Sequence, residues 1–129
     1  MDIQVSSNFE RLLFELLDRD GAATATVMQR FAEIGRFKID DSVLARARQL
    51  FSAYRLDDAG TLAEIAETAA QSNMTIDPHS AVGVYAARAA HADGTVSSDV
   101  PIVALACAHP AKFDIAVAKA TGVAPALPP

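Results

Sequence analysis

Pro101-Ile102-Val103-Ala104-Leu105-Ala106-Cys107 is the stretch whose reading decides the fold class of this chain. It is apolar at odd and even positions alike, the pattern of a strand covered on both faces in the middle of a parallel sheet. A turn-like segment from Asp93 to Asp99 leads into it, and His109-Pro110 breaks it. Such a strand needs neighbours, because buried backbone N–H and C=O groups without partners are costly. Only Ile3-Gln4-Val5 and Arg36-Phe37-Lys38-Ile39 offer themselves, and neither reads as a central parallel strand. The sheet is therefore expected to lie elsewhere. Within this chain, residues 102–106 are expected to be covered by rearranged helices or by a second copy that pairs with the strand.

Outside that run the periodicity is helical. Ser7 and Glu10 form a capping box ahead of Phe9, Leu12, Leu13, Leu16 and Leu17, an amphipathic stripe that Asp20-Gly21 is expected to end. A second helix is expected from about Ala22 to Ile34, burying Val27, Met28, Phe31 and Ile34, with Gly35 as a left-handed cap. Asp40 or Asp41 opens a third, with the stripe Val43, Leu44, Ala47, Leu50 and Phe51. A fourth runs from about Ala59 to Ser72 on Leu62, Ile65, Ala66 and Ala69. Asp77-Pro78 then places a good N-cap before a favoured first helical residue, starting an alanine-rich helix to about Ala90. The last helix is expected to bury Phe113, Ala116, Val117 and Ala120 and to stop near Gly122, before a proline-rich tail.

Composition narrows the function. In 129 residues, 51% are hydrophobic and 21% charged, which fits one compact domain rather than a disordered chain. The net charge is -5 and the eleven Lys and Arg residues are scattered, so no basic stripe is present for nucleic acid. No apolar stretch is long enough for a membrane anchor or span, and a cytoplasmic location is expected. The single cysteine, Cys107, has no partner for an internal disulfide, and His79, His91 and His109 lack the spacing of a helical metal site.

Three motifs carry a family resemblance. Residues 1–15, Met1-Asp2-Ile3-Gln4-Val5-Ser6-Ser7-Asn8-Phe9-Glu10-Arg11-Leu12-Leu13-Phe14-Glu15, closely resemble a signature stretch of threonine synthases. Asp77-Pro78-His79-Ser80-Ala81-Val82-Gly83 is similar to the acidic-Pro-His motif of that family, and Leu105-Ala106-Cys107-Ala108-His109-Pro110-Ala111-Lys112-Phe113 resembles its penultimate strand and loop. Order and spacing match too. The resemblance spans essentially this whole chain but only the C-terminal third or so of the family enzyme. It implies a predominantly α segment with one apolar strand, an α/β fragment of a fold type II (tryptophan-synthase-like) pyridoxal-phosphate enzyme. The family converts O-phosphohomoserine and water into threonine and phosphate, a carbon–oxygen lyase reaction in threonine biosynthesis, with the cofactor carrying the chemistry. Its Schiff-base lysine and its phosphate-cradling loop belong upstream of the matched part. The isolated chain is accordingly expected to be inactive and to hold no cofactor, and its main partner is expected to be the N-terminal part of the enzyme.

Of the lysines present, Lys38 in Arg36-Phe37-Lys38-Ile39-Asp40 resembles the context of the family's catalytic lysine only superficially, and it falls in a connector between helices. Lys112 belongs to the matched loop, and Lys119 sits in a last helical turn, where a cation favours the helix dipole. All three read as solvated.

Cys107 stands where the family usually has threonine, whose hydroxyl faces the pyridine nitrogen of the cofactor. A thiol is a weaker donor, so the resemblance implies a cofactor contact with altered tuning, beside the simpler reading of a small buried hydrophobe. Asp77 is first a helix cap worth roughly 1 kcal/mol, and by resemblance it also borders the cofactor site. His79 and His109 are expected to line the substrate pocket, and Ser6, Ser7 and Asn8 to border the substrate channel. Two classes of function are open: a part of threonine synthase, or a non-catalytic helical module that binds a protein partner through exposed apolar patches.

Overall fold

The structure is a computed structural model, which describes residues 7–127, with the side chain of Ser7 excepted. The described residues hold six α-helices, α1 (Ser7–Leu16), α2 (Gly21–Ile34), α3 (Asp41–Arg48), α4 (Asp58–Ser72), α5 (Pro78–Ala92) and α6 (Asp114–Thr121). A single 3-10 turn, Pro110–Phe113, precedes α6. They divide into two compact units, one reaching to Ser52 and the other starting at Ala53.

In the first unit α1 buries Leu13 and Leu16, each worth roughly 2 kcal/mol when withdrawn from water. Phe9, expected in the same stripe, is partly exposed, and its ring lies 6.0 Å from that of Phe37. Phe37 in turn meets Phe31 of α2 edge-on at 5.7 Å. Residues 36–39 are thus no strand: they are an irregular connector that contributes one aromatic ring to this cluster. The other short strand candidate, Ile3-Gln4-Val5, lies outside the described residues, and so does the Ser7 side chain of the expected capping box.

Asp20 does more than close α1. Its carboxylate accepts from the amides of Ala22 and Ala23 and so starts α2, with Gly21 as the first helical residue. The chain reverses through Asp18 and Arg19, both at positive φ. Arg46 of α3 donates to the Leu16 carbonyl at 3.0 Å and pairs with Asp18 at 2.9 Å, supplying a partner to a carbonyl that α1 leaves open at its end. Gly35 ends α2 in the left-handed conformation, as expected, with its amide on the Phe31 carbonyl. Ile34, expected inside, is exposed, and Thr24 is the buried residue of α2. Leu50 and Phe51 are exposed because α3 stops at Arg48, before the predicted stripe reaches them.

In the second unit α4 packs against both α5 and α6 around Ile65, Ala81, Ala90 and Val117. The α4 face is rotated from the expected one. Thr61, Glu64, Ile65 and Thr68 are buried, whereas Leu62, Ala66 and Ala69 are half-buried. The buried polar atoms are matched. Thr61 Oγ1 donates to the Asp57 carbonyl, Thr68 Oγ1 to Glu64 Oε1, and Arg88 of α5 stands 3.5 Å from Glu64 while bonding Glu67 and Gln71. A hydrophobic stripe drawn from α4 alone misses this face, because Arg88 arrives from another helix.

The apolar strand is the main correction. Residues 101–107 form no ladder, the described residues contain no strand, and Val103 and Leu105 are 81% and 77% exposed. The reason is physical: without a neighbouring strand an extended run has no ladder to join, and its polar backbone turns to water. The segment nevertheless lies along α5. The ring of His91 bonds the Val100 carbonyl at 3.0 Å at one end, and a Cβ built on Gly83 would stand 3.9 Å from that of Ala104. Rearranged helices do not cover it. No helix among the described residues is long and apolar enough to cross a membrane.

Candidate functional site

The other end of that segment is fastened at the start of α5, and there the chemistry-bearing residues of the second unit gather. Asp77 is the N-cap of α5 and only 1% exposed. Its placement is dictated locally: Pro78 has no amide to satisfy, and the cap turns the carboxylate toward the open N–H groups of the first turn. Oδ1 accepts from the His79 amide at 2.9 Å and lies 2.9 Å from His79 Nδ1. Oδ2 accepts from the Ser80 hydroxyl and from the Ala108 amide at 3.3 Å. Ser80 Oγ in turn accepts from the Cys107 amide at 3.2 Å. Both carboxylate oxygens are therefore fully occupied, and two amides of the 101–108 segment end on the Asp77–Ser80 pair.

Burial of Asp77 works to raise its pKa. Against this act hydrogen bonds from the Ser80 hydroxyl, the His79 ring, the His79 amide and the Ala108 amide, and together they hold the carboxyl below its ordinary value of 3.8. The ionised form also suits a helix N-terminus.

His79 is half-buried, with its ring edge-on to Phe113 at a centroid distance of 5.0 Å. Cys107 is exposed, and its thiol donates weakly to the Leu105 carbonyl at 3.6 Å. Asp77, His79 and Cys107 thus come together around Ser80. His109 stays apart: its Nδ1 accepts from the Ala111 amide at 3.2 Å and caps the 3-10 turn. Asn8 is an exposed residue of α1 in the first unit, and the side chain of Ser7 is not described.

Lys38 is exposed, 4.0 Å from Asp41. Lys112 and Lys119 flank an open groove floored by Thr61, Leu62, Pro78 and Phe113. Among the described residues no group of three or more His, Cys, Asp or Glu is placed to hold a metal ion.

Sequence reading missed Ser80 and Phe113 as members of the site. Ser80 had a legible signal, a hydroxyl three residues after an Asp N-cap, whereas Phe113 had none, since it reaches His79 from a separate turn.

The family profile described as threonine synthase, C-terminal, matches residues 80–129. The threonine synthase of Pseudomonas aeruginosa is 46% identical over 99% of this chain and 27% of its own length. That of Corynebacterium glutamicum is 34% identical over 99% of this chain and 26% of its own. Among solved structures, pyridoxal-phosphate-bound threonine synthase from Brucella melitensis superposes with a TM-score of 0.82 at 47% identity, over 99% of this chain and 26% of that one. Yeast threonine synthase superposes at 0.75 with 32% identity, over 93% and 26%. The chain spans about a quarter of the length of the relatives it matches.

Proposed function

The chain is a relative of the C-terminal quarter of threonine synthases, and from that premise we propose that it works as the C-terminal segment of a pyridoxal-phosphate-dependent threonine synthase. The reaction is the conversion of O-phosphohomoserine and water into threonine and phosphate, a lyase step of amino-acid biosynthesis carried out in the cytoplasm. The observation that carries this reading is the segment 101–107. It is apolar, held to α5 at both ends, and still has Val103 and Leu105 in water. An apolar segment in that state gains partners when neighbouring strands are added, and the remaining three quarters of such an enzyme are their natural source.

The residues present fit one side of a cofactor pocket. Cys107 ends the apolar run with an exposed thiol, a neutral donor of the kind a pyridine nitrogen accepts. When bound, pyridoxal phosphate supplies an electron sink for carbanion chemistry. The chain's own task is positional: Asp77 and Ser80 hold the backbone at Cys107 and Ala108, and the thiol stays at the end of the run. Asp77 does not fit as a direct cofactor ligand, since its oxygens are spent inside the protein.

Co-expression tests this. A P. aeruginosa threonine synthase shortened by the quarter that matches this chain is expected to regain threonine formation and cofactor absorbance when this chain is supplied beside it. Val103→Pro should remove the gain, because proline cannot donate to a ladder. A chain that binds the shortened enzyme without restoring turnover would favour the helical interaction module, and a homodimer that excludes the shortened enzyme would favour self-pairing through residues 102–106.

A further inference from the structure

The bond between Asp77 and His79 fixes more than the helix start. An ionised carboxylate only accepts, so the 2.9 Å contact of Asp77 Oδ1 with His79 Nδ1 requires the hydrogen on Nδ1. In the neutral ring the lone pair then sits on Nε2. Phe113 holds the plane of the ring from one side, and the amide of His79, bonded to the same Oδ1, holds its backbone. Nε2 has no protein partner among the described residues, and no buried side-chain nitrogen or oxygen is left unpartnered there. An Nε2 without a partner is therefore in reach of solvent.

His91 and His109 differ. The ring of His91 is bonded through Nε2 to the Val100 carbonyl, and His109 spends Nδ1 on its own loop.

We propose that Asp77 and His79 form a carboxylate–imidazole dyad whose Nε2 is a preset proton-accepting site, suited to a small molecule that presents a hydroxyl or ammonium donor. Asp77 is the positioning residue of the dyad. One carboxylate thereby orients the imidazole through Oδ1 and the Cys107–Ala108 backbone through Oδ2 and Ser80, which ties the two sides of the site to a single anchor. The inference concerns atoms of this unit alone and stands whether or not the assembly proposed above forms.

Long-range nitrogen–proton NMR on the intact 129-residue chain reads the tautomer directly. In the neutral ring, Nδ1 of His79 is expected to show the shift of a protonated ring nitrogen and Nε2 that of a bare one. In Asp77→Asn the two shifts should move toward the average of the free side chain, and the amide resonances of Cys107 and Ala108 should move with them. Ser80→Ala should move the Cys107 amide while leaving the His79 tautomer in place. Access to Nε2 is read with diethyl pyrocarbonate as the probe and mass spectrometry to locate the adduct, which is expected on His79 as well as on His109. A wild-type His79 with its hydrogen on Nε2, or an unrestrained mixture, overturns the dyad even if Asp77→Asn fails to fold. A His79 that stays unmodified while His109 reacts fully overturns the open site.

Discussion

Residues 77–80 and residues 101–107 are both short, both ordered by the same helix, and opposite in what they need. In Asp77-Pro78-His79-Ser80 the Asp77 carboxylate finds three of its four donors within the motif, and the Ala108 and Cys107 amides come from afar. The apolar run has the sequence of a buried strand and the environment of a surface loop. A helix start carries its partners with it, whereas a strand borrows them from other segments.

Hydrogen exchange offers the largest contrast. Amides of Ile102 to Ala106 are expected to exchange at least about a hundredfold faster than those of Ile65 and Ala81, since opening of the run breaks no ladder. Protection of the run equal to that of α4 would mean that it is paired or covered in solution, and the contrast would fail.

The next effect is on stability. Asp77→Ala removes the cap and strips the Ser80 hydroxyl and the Ala108 amide of their acceptor, a loss of roughly 3 kcal/mol read from the denaturant midpoint. The same group gives a pH dependence with a definite sign. Its folded pKa lies below the unfolded value, so its contribution is complete above about pH 4 and fades as the pH falls through the folded value. Midpoints measured from about pH 6 down to about pH 2 should fall more steeply in the wild type than in Asp77→Asn. Equal slopes would remove Asp77 from its central role.

Smaller effects test how the run rests on α5. Gly83→Ala places a methyl in ordinary contact with Ala104 and relieves a helix-interior glycine, so a gain of about 0.5–1 kcal/mol is expected. A loss would show the run pressed closer to α5 than 3.9 Å. Val103→Lys and Leu105→Lys, on exposed side chains, should each change the stability of the chain by less than about 0.5 kcal/mol. In the co-expression experiment the same two variants should disrupt assembly, which would separate the need of the chain from the need of the complete enzyme.

The helices were legible wherever their signals are local. Gly35 ended α2 as the left-handed cap that was read, α6 stopped at Gly122 as expected, and Asp77-Pro78 opened α5. Asp20 was half-read, because an Asp-Gly pair looks like a stop when it is also the cap of the next helix. The buried face of α4 was misread, since Glu64 and Thr68 are drawn inward by Arg88 and by each other.

The sequence by itself determined the helical pattern, the cap of α5, the apolar character of residues 101–107 and the motifs of the site, all of which depend on residues a few positions apart. Only the tertiary structure decided that the run forms no strand, that Asp77 bonds an amide 31 residues away, and that Ser80 joins it to Cys107. Those outcomes depend on which segments meet: the Cys107 and Ala108 amides find their acceptors on Ser80 and Asp77 at the start of α5, and the Val100 carbonyl accepts from the His91 ring at its end.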